Sequence, residues 1–180
     1  MDEMLKETTV SSRSVFDGRL LHVYEDVVRL QDGTEKTREY IRHNGAACVL
    51  PLTEDQEVYL VRQFRYPLHM VLTEAPAGKV DAGETHLDAA KRELKEETGL
   101  LAEEWISLGE MYTSVAYSDE RIGLYLARGL HQAEQTPDEG EFLAVEKRPL
   151  QEVIDMVTSG EIRDPKTQLV VLKTARLLGL

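Results

Sequence analysis

Cysteine is almost absent. Cys48 is the single one in 180 residues, so no intramolecular disulfide can form, and its place in the apolar run 46–52 marks it as a buried thiol. Long hydrophobic runs are missing too. None approaches the ~20 residues that a helix needs to cross a bilayer. The first residues, MDEMLKETT, lack the basic and apolar segments of a signal peptide, and a cytoplasmic location is the resulting expectation. Positive charge is scarce: 21 Lys and Arg stand against 33 Asp and Glu, for a net charge of −12. No basic stripe is available to neutralise a nucleic-acid backbone, which argues against DNA or RNA as a partner. A small phosphorylated ligand is not excluded, because a few arginines and a divalent cation can hold a diphosphate inside an acidic protein. There is no internal repeat and no low-complexity linker. The histidines are scattered without ligand-like spacing, and none is given a role.

What is present is the composition of a folded chain, 42% hydrophobic and 30% charged, long enough for one domain with a small appended piece. Residues 8–16, 20–30 and 36–43 alternate as strands, separated by the turn pairs Asp17-Gly18 and Asp32-Gly33. Residues 46–52 and 57–65 read as a second, more buried hairpin turning over 53–56. A short extended run, 71–75, leads into Pro76-Ala77-Gly78. Residues 86–98 form the clearest helix. Strands are expected over 105–112 and 122–130, joined by the polar stretch 113–121, and over 142–147 after a loop at 131–139. Helices over 150–159 and 165–178 close the chain, the last opened by Asp164 as N-cap and Pro165 at the first helical position. The sum is a mixed α/β domain. Trp105 reads as a core residue.

The segment 83–100 carries unusual charge. Thr85 can cap the helix with Asp88 three residues on, Gly99 sits where a left-handed terminator is wanted, and Leu87, Ala90 and Leu94 recur on one face. At ~100° per residue, Glu93, Glu96 and Glu97 fall within one arc beside that apolar stripe. Glu96 can pair with Arg92; Glu93 and Glu97 have only each other and Glu96 as charged neighbours at helical spacing. Like charges so placed cost on the order of 0.2–0.5 kcal/mol per pair in water, and more beside a buried stripe. A solvated acidic face is the ordinary explanation of such a pattern. The other is a hard divalent cation among the carboxylates.

Gly78, Glu84, Arg92, Glu93, Leu94, Glu96, Glu97, Gly99 and Leu100 match, at the right spacing, every fixed position of the Nudix box, so this chain resembles the Nudix hydrolases. The resemblance implies an α/β/α sandwich with a mixed β-sheet. It also implies Mg²⁺, with Mn²⁺ as an alternative, held by Glu93, Glu96, Glu97 and the carbonyl of Ala77. Arg92 would orient the carboxylates and Glu84 would help hold the loop. Outside the box at 78–100, the additional amino-terminal strands, Gln63-Phe64-Arg65, Pro76-Ala77-Gly78 and Asp164-Pro165-Lys166-Thr167 look like the ADP-ribose pyrophosphatase branch. That likeness divides the chain into an amino-terminal antiparallel β-sheet extension, 1–43, and a hydrolase domain, 44–180. It implies a homodimer with exchanged amino-terminal strands, and a water-activating glutamate that is either Glu139 or Glu141. Arg65 is a candidate for a substrate phosphate or ribose, set against an ordinary surface ion pair. Arg38, Tyr40 and Arg42 are weaker candidates for an adenine or a phosphate. In the loop where the branch often carries Ser-Pro-Gly-Phe this chain has Ser114-Val115-Ala116-Tyr117, which keeps Ser114 as a candidate but weakens the choice of substrate. The implied reaction is hydrolysis of ADP-ribose, or a related nucleoside diphosphate sugar, to AMP and a sugar phosphate. GDP-mannose or a broad range of such substrates is the alternative. A module that senses ADP-ribose without cutting it is the rival of another class; the intact box glutamates weigh against it.

Overall fold

The computed structural model describes residues 2–137, 140 and 142–180, and they fall into two compact units. The first comprises Met1–Asn44 and Tyr112–Arg121. Its strands β1 (Thr8–Asp17), β2 (His22–Arg29) and β3 (Glu35–Arg42) form an antiparallel sheet in that order, as their alternation and turn residues predict. The stretch 112–121 packs within this unit. The Ile41 amide donates to the Tyr117 carbonyl at 2.9 Å and the Asp119 amide to the Ile41 carbonyl at 3.2 Å. Asp119 also accepts from the His43 amide at 2.8 Å.

The second unit, Gly45–Met111 with Ile122–Leu180, is built around β4 (Ala46–Pro51), whose six residues are all buried. Successive strand residues point to opposite faces, and β4 uses both. Cys48 and Leu50 join a core completed by Leu150, Val153, Val170 and Val171 from α2 (Leu150–Thr158) and α3 (Pro165–Leu178). Ala47 and Val49 join a second core with Ala89, Ala90 and Leu94 from α1 (His86–Thr98). A continuous apolar run buried on both faces is what a parallel-type central strand needs. The result is a sheet with helices on either side, the expected α/β/α sandwich. Its strand order is β7 (Ala77–Lys79), β4, β9 (Arg121–Gln132), β8 (Leu100–Tyr112), with β4 and β9 parallel and β4 and β7 antiparallel. Cys48 is wholly buried, and burial pushes its thiol pKa up.

The hairpin expected from 46–52 and 57–65 does not form a ladder. The turn is real, with the Thr53 amide donating to the Glu57 carbonyl at 2.9 Å, but only the Leu52–Val58 bridge links the two strands. Beyond it β5 (Glu57–Arg65) enters a separate sheet between β10 (Leu143–Pro149) and β6 (Met70–Glu74). The physical reason is competition for edges. Both sides of β4 are already taken, by β7 and β9. Among the described residues no helix is long and apolar enough to cross a membrane.

Candidate active site at the β7–α1 junction

Helix α1 begins and ends on the residues its sequence provides. Thr85 is extended and accepts the Asp88 amide at 3.2 Å while its hydroxyl donates to the Asp88 carboxylate at 2.6 Å. Gly99 stops the helix in the left-handed conformation, φ 67°, its amide donating to the Lys95 carbonyl. Ala89, Ala90 and Leu94 are fully buried, and a buried leucine alone contributes about 1.5–3 kcal/mol. That packing fixes the rotation of the helix and delivers the acidic arc to β7.

Glu97 is only 2% exposed, and its carboxylate accepts the Ala77 amide at 3.1 Å. Gly78, the next residue, lies against Glu93: a Cβ built on Gly78 would stand 1.8 Å from Glu93 Oε1. Two glutamates one helical turn apart therefore meet consecutive residues of one strand. The box glycine is needed for this close approach, since its φ is not in the left-handed range.

Arg92 ties the acids together. Its Nη1 donates to Glu93 Oε1 at 2.7 Å and Glu96 Oε2 at 2.9 Å. Its Nε and Nη2 each donate to Glu84 at 3.0 Å, and Nη2 also reaches the Lys79 carbonyl at 2.8 Å. The Glu84 bonds come first, with those to Glu93 and Glu96, in raising the Arg92 pKa well above its ordinary value; the group stays charged at any working pH. Glu84 in turn accepts the Asp81 amide at 3.0 Å, and the Arg92 pair holds its carboxyl below the usual range. Three carboxylates, of Glu84, Glu93 and Glu96, thus gather around one guanidinium. Their donors are hard oxygens, the chemistry that suits Mg²⁺ or Mn²⁺. Among the described residues, no three acidic, histidine or cysteine side chains are grouped as an ion cage; Arg92 instead draws Glu93 and Glu96 to itself. The donor set fits a divalent cation in kind.

Arg65, at the end of β5, makes the ion pair that the sequence offered as its ordinary explanation, but with a buried partner. Its Nε and Nη2 donate to the two oxygens of Glu74, both at 2.6 Å, and Glu74 is 2% exposed. Lys166 donates to the same carboxylate. Burial pushes the Glu74 pKa up, and the bonds from Arg65 and Lys166 outweigh it, so the folded value lies below the ordinary one. A depressed folded pKa gives stability that is present above the unfolded value of about 4.3 and lost as pH falls through the folded one. Glu74→Gln is expected to lower stability near pH 7 by about 3 kcal/mol, the range for breaking a buried pair. It should also flatten the decline between pH 5 and 3 relative to the wild type; urea unfolding across that range measures both.

In the amino-terminal unit, Arg38 pairs with Glu7. Tyr40 donates to Asp26 Oδ2 at 3.2 Å and accepts from Arg42 Nη2 at 2.8 Å. The Arg42 guanidinium lies 3.9 Å from the Tyr24 ring centroid, and Tyr24 stacks on Tyr40. Tyr24 and Asp26 escaped the sequence reading; the cross-strand pairing Tyr24–Tyr40 was the signal available in the alternation of 20–30 and 36–43. Asp26 is 8% exposed and its Oδ1 lacks a hydrogen-bond partner among the described residues. Ser114 turns the chain, its carbonyl accepting the Tyr117 and Ser118 amides, both at 2.9 Å. Glu139 and Glu141 lie outside the described residues. Trp105 is partly buried against Tyr125, in keeping with a core role.

The chain is similar to known proteins over nearly its whole length. Residues 42–168 match the NUDIX domain and residues 7–41 the nucleoside diphosphate sugar hydrolase N-terminal domain. The chain is 36% identical over 169 residues to an ADP-ribose pyrophosphatase of Bacillus subtilis, covering 93% of this chain and 91% of that one. It is 36% identical over 173 residues to the methanol dehydrogenase activator of Bacillus methanolicus, covering 95% and 94%. A GDP-mannose pyrophosphatase of Yersinia enterocolitica is 32% identical over 172 residues, covering 89% of each chain. The crystal structure of an ADP compounds hydrolase superposes with a TM-score of 0.85 at 22% identity, over 97% of this chain and 95% of that one.

Proposed function

The chain belongs to the NUDIX family, and from that premise we propose that it hydrolyses the diphosphate of ADP-ribose, or a close nucleoside diphosphate sugar, to AMP and a sugar phosphate in a divalent-metal-dependent reaction. The coarser activity, hydrolysis of nucleoside diphosphate sugars, has the support of both domain matches and of relatives acting on ADP-ribose and GDP-mannose. The observation that carries the reading is the set of box acids gathered on β7 by Arg92, with Glu97 at the Ala77 amide and Glu93 against Gly78.

Glu93, Glu96, Glu97 and the Ala77 carbonyl are the proposed holders of Mg²⁺ or Mn²⁺. Such an ion, when bound, neutralises the diphosphate and favours attack by water at phosphorus. Arg92 holds the Glu93 and Glu96 carboxylates together and aligned. Its own charge offsets one of theirs, so that the pocket stays acidic enough for a cation and does not repel the substrate outright. Glu139 or Glu141 is proposed as the base that takes the proton from water. Arg65 is proposed to face a phosphate or ribose, with its fork set by the bidentate Glu74 pair. Arg38, Tyr40 and Arg42 are proposed as contacts to the adenine or a phosphate and Ser114 as a contact to the distal ribose, with Tyr24 and Arg42 offering a flat stacked surface. A homodimer with exchanged amino-terminal strands is also proposed. All ten residues of β1 are exposed on the single chain, and a strand carrying Val10, Val15 and Phe16 in that state suits a partner.

Incubation with ADP-ribose, GDP-mannose, NADH and diadenosine polyphosphates in Mg²⁺, with product analysis, tests the reading. ADP-ribose is expected to yield AMP, and EDTA to stop the reaction. Rapid turnover of GDP-mannose with ADP-ribose untouched would shift the assignment to the second substrate, which the Yersinia relative supports. Binding of ADP-ribose without cleavage of any compound would point to a sensing module.

A further inference from the structure

The motif Asp164-Pro165-Lys166-Thr167 is left without a task by the reaction just described, and the structure places it behind the site. Asp164 caps α3, accepting the Thr167 amide at 3.0 Å and the Lys166 ammonium at 2.9 Å. The Thr167 hydroxyl donates to Asp164 and accepts the Ala75 amide, the latter at 2.8 Å. Lys166 and Arg65 both donate to Glu74. Glu74 and Ala75 immediately precede Pro76-Ala77-Gly78. The Pro76 carbonyl accepts the Val49 amide at 2.9 Å, Ala77 meets Glu97, and Gly78 meets Glu93. All five consecutive residues are therefore held: Glu74 and Ala75 by the motif and Arg65, and Pro76, Ala77 and Gly78 by the central strand, with Glu97 bonded to Ala77 and Glu93 packed against Gly78. Thr167 is fully buried, as are Ala75 at 1% and Glu74 at 2% exposure. A threonine in the first turn of a helix ordinarily needs only its own helix. This one spends its acceptor on a backbone amide 92 residues away.

We propose that Thr167, with Lys166 and Asp164, is a positioning group for the metal-binding carboxylates: through Ala75 and Glu74 it sets where the Ala77 peptide stands, and through that peptide where Glu97 stands. The inference rests on the reading of Glu93, Glu96 and Glu97 as cation ligands. Partners behind a ligand shell are typically worth ~10–100-fold in metal affinity or activity, and a shifted strand end moves a carboxylate and a backbone carbonyl together.

Thr167→Val keeps the shape and removes the hydroxyl. It is expected to weaken binding of Mn²⁺ alone, titrated in the absence of substrate by electron paramagnetic resonance of the free ion, by ~10-fold or more. The Mg²⁺ concentration for half-maximal hydrolysis should rise in parallel, kcat should fall, and KM at saturating Mg²⁺ should change little. Thr167→Ser, which restores the hydroxyl, should recover both. Lys166→Met, which leaves the Thr167 bonds in place, provides a second variant should Thr167→Val fail to fold, and is expected to weaken Mn²⁺ in the same direction. Wild-type Mn²⁺ affinity and kcat in folded Thr167→Val, or a lowered Tm as its sole effect, would overturn the proposal. The two readings fail separately. A wild-type protein that binds Mn²⁺ but cleaves no nucleoside diphosphate sugar loses the proposed function, while weakened Mn²⁺ binding in Thr167→Val would still uphold the positioning role.

Discussion

Glu97→Gln is expected to leave a folded protein that hydrolyses its substrate more than ~100-fold more slowly than the wild type, beyond the usual cost of losing an outer partner of a metal site. The change is close to isosteric, and the amide oxygen can still accept the Ala77 amide. What is lost is the negative charge and one lone-pair donor. Because Glu97 is 2% exposed, it carries a carboxylate out of water, which is unfavourable unless compensated. A neutral amide removes that burden. The Tm of Glu97→Gln in EDTA is therefore expected to equal or exceed that of the wild type, whereas the rise in Tm on adding Mg²⁺, which measures binding to the native state, should shrink. Opposite movements of intrinsic stability and metal response separate a ligand from a structural acid. Near-normal turnover in this variant would remove Glu97 from the proposed ligand set.

How much of this was readable in the chain differs from residue to residue. The bounds of α1, its Thr85 cap and its Gly99 stop follow from local chemistry, and the structure has them where 86–98 predicted. The acidic arc was also legible, because helical spacing is a matter of counting. The partners of the arc were not. Helical spacing brings Arg92 to Glu96, four residues on; that it also holds Glu84 depends on the path of the loop from Gly78 to Thr85, which no periodicity encodes. The separation of β4 from β5 is not legible because a tight turn between two apolar runs says that the chain reverses, not that the strands stay paired. Which edges of β4 are occupied is decided by β7 and β9, distant in sequence. The Thr167–Ala75 bond spans 92 residues and had no local trace beyond the motif itself. Glu139 and Glu141 stay as the sequence left them.

Gly78→Ala is expected to lower hydrolysis by ~100-fold while costing only about 1–2 kcal/mol in stability, the lower part of the range for overpacking a close contact. The asymmetry comes from what the added methyl would strike. It would stand 1.8 Å from Glu93 Oε1, 2.1 Å from Cδ and 2.6 Å from Oε2, all at the far end of a flexible side chain. The backbone need not move, since the carboxylate can swing away at moderate cost. In swinging, however, it must give up its 2.7 Å bond from Arg92 and its place beside the Ala77–Gly78 peptide, and that place is what the proposed site requires. Gly83 provides the opposite case. Its φ of +84° strains any side chain, yet nothing lies within 4 Å of the added Cβ. Gly83→Ala should therefore lose about 1–2 kcal/mol from the left-handed backbone and keep its turnover. Thermal unfolding and kcat measured on both variants distinguish a glycine required for space from one required for conformation. Full activity in Gly78→Ala would mean that the Glu93 carboxylate can work from elsewhere, and the arrangement on β7 would then no longer account for the chemistry.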